Sequence, residues 1–131
     1  MVADRALVVD ASAMVDLLVG SRLGDTVRRR LERHVLHAPA HLDAEVLSAL
    51  GRLHRAGKLS GAEVATRLAR VAAAPLERHE LAQLVEGAWK RRHNLRLVDA
   101  LYAELASRLE APLITTDGGL AAAFPLAELV T

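Results

Sequence analysis

The sequence predicts an α/β fold: a single domain over residues 1–131, with a central, mostly parallel sheet of four or five strands covered by helices on both faces. Three observations lead there. Short continuous apolar runs, "ALVV" and "PLIT", have the pattern of strands buried on both faces. Between them lie segments whose apolar residues recur three and four apart, the period of a helix packed on one side. Finally, the two kinds of segment alternate along the chain, as they must when helical crossovers join parallel strands.

The elements follow in order. Residues 6–10 read as a strand, and 12–19 as a helix with Ser12 at its N-cap. Gly20 and Gly24 punctuate before a charged helix over 25–34, with Val27 and Leu31 on its inner face. An extended piece over 35–38 ends at Pro39. Leu42, Val46, Ala49, Leu50 and Leu53 share one face of a helix over 40–55, which Gly57 stops. Ser60 and Glu63 have capping-box spacing, and Val64, Leu68 and Val71 carry that helix toward Pro75. Residues 75–78 read as a short strand, and 80–93 as a helix with Asn94 as its C-cap. The next helix, 97–110, turns Val98, Leu101, Tyr102, Leu105, Ala106 and Leu109 inward. "PLITT" then forms a buried strand ending at Asp117, Gly118 and Gly119 turn the chain, 120–123 make a helical turn, and 126–130 a last strand.

Composition narrows the function classes. The chain is 52% hydrophobic with few aromatics and no cysteine, which excludes disulfides and cysteine metal sites and fits a reducing cytoplasm. No apolar run approaches the ~18 residues that span a bilayer, and the expectation is a cytoplasmic protein with no membrane role. The net charge of +1 gives no strong global field toward nucleic acid. Basic residues cluster locally, at 28–30 and 90–93.

Two strands of the same kind each end in an acid, Asp10 after "LVV" and Asp117 after "ITT". In open parallel sheets, sites gather beyond the carboxyl ends of the strands. If these strands are neighbours, both carboxylates enter one crevice. Two carboxylates ~4 Å apart repel by about 4 kcal/mol at an effective dielectric of 20. Such a pair needs protons, a cationic group or a divalent metal, and oxygen-only ligands suit Mg²⁺ or Mn²⁺. The structural alternative is that each acid merely caps the following helix. Asp99 opens the 97–110 helix at the edge of its apolar stripe. The 40–55 helix holds two acids, and spacing favours Asp43, which falls in the apolar sector, over Glu45 at the polar edge. Asp16 reads as a helix-surface residue.

Four stretches, "VVDASAMVDLL", "LDAEVLSALGRL", "RHNLRLVDALYAELA" and "APLITTDGGLA", together resemble the PIN-domain ribonucleases, and specifically the VapC toxins of type II toxin–antitoxin systems. The resemblance covers nearly the whole chain. It implies a PIN-like α/β/α sandwich and an acidic cluster of Asp10, Glu45, Asp99 and Asp117, with Asp10, Asp99 and Asp117 as ligands of Mg²⁺ (or Mn²⁺). It thus prefers Glu45 to Asp43. Ser12 and Thr116 match hydroxyl positions that steady the carboxylates. "DGGLAAAF" lacks the further acid that some PIN domains carry after the fourth, which speaks against a well-formed second metal site in the cluster.

The reaction implied is metal-assisted hydrolysis of an RNA phosphodiester, with tRNA or rRNA as substrate. Arg91, Arg92 and Arg96 are the candidate phosphate contacts. Trp89, Tyr102 and Phe124 are too few for much base stacking, and Tyr102 and Phe124 read as core. None of the six histidines is among the matched site residues, so surface or cap positions are expected for them. The resemblance further implies a cognate VapB-like antitoxin that neutralises the acids with a basic side chain, and a homodimer. A receiver-like phosphoacceptor wants paired acids after the first strand, and a haloacid-dehalogenase-type phosphatase wants an acid two residues on, where this chain has Ser12. The remaining alternative is a catalytically silent PIN-type binding module, which has no use for four mutually repelling acids.

Overall fold

A computed structural model describes residues 5–131. Five strands form one parallel sheet: β1 (Arg5–Val9), β2 (His34–Pro39), β3 (Leu76–His79), β4 (Leu113–Thr115) and β5 (Ala127–Leu129). Their spatial order is β3-β2-β1-β4-β5. The helices are α1 (Ala11–Val19), α2 (Gly24–Leu31), α3 (Leu42–Arg55), α4 (Gly61–Ala73), α5 (Val85–Lys90), α6 (Leu97–Leu109) and α7 (Gly118–Ala123). They make the sheet the middle layer of an α/β/α sandwich. Helices α1 to α4 pack on one another, while α5 pairs with α6, which lies on β1, β2 and β4.

The sheet centre is where the apolar runs predict it. Leu7, Val8 and Val9 of β1, and Leu113 and Ile114 of β4, are all buried. The two strands pair directly, Val8 with Leu113 and Val9 with Ile114. Strand order reverses between them, because the chain winds outward from β1 to β3 and then returns to β4 on the other side. A crevice opens at the carboxyl ends of strands at such a switch point.

Caps and stops explain the helix limits. Ser60 and Glu63 close the predicted capping box on α4, with both bonds present. After α3, Gly57 takes φ +75°, and the Gly57 and Lys58 amides return to the His54 and Leu53 carbonyls. That is a Schellman end, for which a residue without Cβ is preferred. At Gly24 the constraint is space: a Cβ there would stand 2.7 Å from the Asp16 carbonyl oxygen.

Three expectations are corrected. Asp10, not Ser12, is the N-cap of α1. The predicted 80–93 helix is a 3-10 turn (Leu81–Gln83) followed by the short α5, and Asn94 lies in a turn beyond its end, where Leu95 is drawn into the core. On α6, Val98 faces outward at 44% exposure, while Ala100 and Ala103 are buried. That helix is apolar nearly all round, so periodicity does not choose its inner face; the small alanines let it settle close on the sheet.

Candidate active site

Asp10 sits where β1 turns into α1. Its Oδ1 accepts from the Ala13 amide (2.9 Å) and the Ser12 hydroxyl (2.8 Å), and its Oδ2 from the Thr115 hydroxyl (2.5 Å). The group is only 4% exposed. Burial pushes its pKa up to about 6 despite these three donors, and the charge of Asp117 adds to the rise. Capping therefore explains an oxygen acceptor here but not a carboxylate, since Ser or Asn caps as well without the buried charge. The excess charge asks for a cation.

Asp117 follows β4 and caps α7. Among the described residues its hydrogen bonds fall on Oδ1, from the Gly119 and Leu120 amides at 2.9 and 3.4 Å. Its own amide donates to the Thr115 hydroxyl at 2.9 Å, so one threonine ties Asp10 to Asp117 across the β1–β4 pair. Glu45 stands on α3. The Tyr102 hydroxyl, carried by α6, donates to it at 2.7 Å, and His41 Nε2 lies 3.4 Å away. Burial, with the Glu45 carboxylate beside it, pushes the Tyr102 phenol far up, so it remains a donor. Asp99, in the first turn of α6, pairs with Arg96 at 3.0 Å. The Arg96 guanidinium is held in its charged form by Asp99 first, then by Asp117 and Glu45.

All four acids line one cleft of about 370 Å³. They do not close on a point. Among the described residues no three of them bring ligand atoms within 4.8 Å of one another; the only such trio is His37, Glu77 and His79, on another part of the sheet. Asp10 and Asp117 share Thr115, Glu45 holds Tyr102, and Arg96, paired with Asp99, also feels the charges of Asp117 and Glu45. The donor set is chemically suited to a hard divalent ion: carboxylates and hydroxyls with no sulfur, around a buried acid short of positive charge.

Several expectations change here. Asp43 is not in the cleft; it receives a two-pronged bond from Arg78 of β3, at 2.6 and 3.0 Å. Glu45 is the acid of α3 that lines it. The hydroxyl on Asp10 beside Ser12 belongs to Thr115, whereas Thr116 donates its hydroxyl to Asp16 and its amide to Ser12. Asp16, expected on the helix surface, lines the cleft and also holds Ser21 at 2.7 Å. Tyr102 is buried as expected, but its hydroxyl reaches the cleft. Of the three arginines, Arg96 lines the cleft. Arg92 lies over the Trp89 ring at 4.5 Å, and Arg91 is taken up by Glu104 and Ser107 on α6. Arg52, bonded to Ser48, also stands on the cleft wall; it is not among the predicted phosphate contacts, although its place seven residues beyond Glu45 puts it on the same edge of α3. The histidines are not all peripheral, since His37 is buried.

A family profile for the PIN domain matches residues 7–123. Ribonuclease VapC3 of Mycobacterium tuberculosis is 54% identical over 127 residues, spanning 95% of this chain and 91% of that protein. Ribonuclease VapC12 of the same organism is 36% identical over 88% of this chain and 89% of its own length. Among solved structures, PAE2754 from Pyrobaculum aerophilum superposes with a TM-score of 0.70 at 27% identity, over 98% of this chain and 85% of that one. A toxin–antitoxin complex from Klebsiella pneumoniae shares the fold at 0.70 and 18% identity, over 95% of this chain and 98% of that one. Sequence and fold thus converge on the family that the four quoted stretches resemble: the chain belongs to the PIN-domain family and, within it, to the VapC ribonucleases.

Proposed function

We propose that the chain is a toxin of the VapC kind, an endoribonuclease that needs Mg²⁺ (or Mn²⁺), cuts a structured RNA such as tRNA or rRNA in the cytoplasm, and is neutralised by a cognate VapB-like antitoxin. The observation that carries this reading is the single cleft at the β1–β4 switch point, lined by Asp10, Glu45, Asp99 and Asp117. Asp10, Asp99 and Asp117 are the residues to hold the metal. Bound there, a divalent ion lowers the pKa of a water and stabilises charge on the phosphate. The protein does the rest. Ser12 and Thr115 fix both oxygens of Asp10, and Thr115 fixes the backbone of Asp117. Tyr102 orients Glu45, which takes the proton of the attacking water. Arg96, paired with Asp99 in the metal-free cleft, would be released to an RNA phosphate if Asp99 held a metal, with Arg52 on the same wall. Thr116 acts one step further out, through Asp16. Arg92 is a peripheral phosphate contact, and Arg91 a structural residue.

The outer face of α5 and α6 supports a protein partner. Val85, Trp89, Leu97 and Val98 are each between 44% and 56% exposed and, with Leu101, line one apolar groove. Homodimer contact and antitoxin docking are the two uses of such a face in this reading.

The test is cleavage of a total tRNA and rRNA preparation in Mg²⁺, in Mn²⁺ and in EDTA, by the wild type and by Asp10→Asn and Asp117→Asn. Metal-dependent cleavage lost in both variants supports the reading. Binding of RNA without cleavage would instead identify a silent PIN-type module, and undiminished cleavage in EDTA would overturn the metal's role.

A further inference from the structure

Two histidines outside the cleft meet on the sheet. His37 Nδ1 lies 2.8 Å from His79 Nε2, with the ring centroids 5.1 Å apart. Glu77 Oε2 lies 3.5 Å from the same His37 nitrogen. The parallel register of β2 and β3 explains this: His37 pairs with Glu77 and Pro39 with His79, which puts all three side chains on one face of the sheet. Arg78, between them, goes to the other face and to Asp43 of α3. The three ligand atoms lie within 4.8 Å of one another. Two imidazole nitrogens so close can share one proton but cannot both carry one. Burial lowers the His37 pKa, with His79 adding to the fall against the pull of Glu77. Neutral imidazole is the form that binds a metal.

We propose that His37, Glu77 and His79 form a second metal site, separate from the carboxylate cleft, that takes a divalent transition ion of the Zn²⁺ class. Two nitrogens and one carboxylate oxygen fill three tetrahedral positions and leave the fourth to water. Zn–N bonds of about 2.0–2.1 Å at a tetrahedral angle place the nitrogens roughly 3.3 Å apart. The nitrogens must therefore part by about half an ångström as the rings turn to aim both lone pairs at the ion, a movement that the partly exposed His79, at the end of the edge strand β3, can supply. Nitrogen donors separate this site from the all-oxygen cleft, which prefers Mg²⁺ or Mn²⁺. A bound ion would clip the four-residue edge strand β3 to β2.

The experiment is a Co²⁺ and Zn²⁺ titration of tag-free protein in millimolar Mg²⁺. The wild type should bind one equivalent of Co²⁺ with the strong visible absorption of a tetrahedral site, displaced by Zn²⁺. His79→Ala, at the more accessible ligand, should weaken binding at least about ten-fold, and Glu77→Gln less. Asp99→Asn should leave the band unchanged. His79→Ala should still cleave RNA in Mg²⁺, so loss of this site and failure of the nuclease reading are separable. No tetrahedral band, a band that survives in His79→Ala, or one lost in Asp99→Asn would each overturn the proposal.

Discussion

Replacing Asp10 by Asn should stabilise the metal-free protein while ending its activity. The folded carboxyl titrates at about 6, against 3.8 ordinarily, because it is buried. Ionised Asp10 therefore disfavours the folded state at neutral pH by roughly 3 kcal/mol. The sign follows from the raised value. Asp10 favours folding fully below about 3.8, while protonated in both states, and that contribution is lost as pH rises through about 6. Asn can keep the hydrogen bonds: its oxygen accepts from the Ala13 amide and Ser12, and its amide donates to Thr115, which turns its proton to Ser12 Oγ, 3.2 Å away. At roughly 4 °C per kcal/mol for a chain of this length, the variant should melt about 10 °C above the wild type at pH 8 in EDTA. The gap should close by pH 4. Millimolar Mg²⁺ should raise the wild-type Tm and leave the variant unmoved. An Asn variant no more stable than wild type at pH 8, or a gap that does not narrow on acidification, would refute the idea that Asp10 is held charged at a cost.

Three further outcomes follow from the same geometry. Asp43→Asn removes an ion pair with Arg78 that is partly exposed, so it should cost at most about 1 kcal/mol by urea unfolding and leave cleavage intact, whereas Glu45→Gln should lose cleavage without loss of stability. Tyr102→Phe deletes the donor to Glu45 and should lower kcat roughly ten-fold with circular dichroism unchanged. Arg96→Ala removes the cation paired with Asp99; Mn²⁺ should bind more tightly by calorimetry, while RNA binding weakens and its log–log salt slope falls by about one.

What the sequence reveals depends on how local each cause is. Strands β1 and β4 are legible because burial on both faces leaves an unbroken apolar run, and their acids because each ends such a run. The α4 capping box needs only residues 60–63. The inner face of α6 is set by what packs on it, and a helix apolar on most sides carries no signal of that. The choice between Asp43 and Glu45 depends on Arg78, 35 residues further on. Periodicity favours Asp43 because it stands among leucines, yet the guanidinium from the edge strand explains its presence there. Only the family resemblance pointed to Glu45. Thr115 was missed beside Thr116 because strand alternation decides which hydroxyl turns toward Asp10, and the exact end of β4 is not legible from four apolar residues. The His37–His79 meeting is a consequence of β2–β3 register, which no motif announces.

The most direct measurement is a calorimetric Mn²⁺ titration of wild type and Asp99→Asn, with RNA cleavage assayed on the same samples. If the cleft acids hold the metal, Asp99→Asn should bind at least about ten-fold more weakly and lose cleavage in parallel. Equal Mn²⁺ affinity in the two proteins, or cleavage by the variant at the wild-type rate, would contradict it.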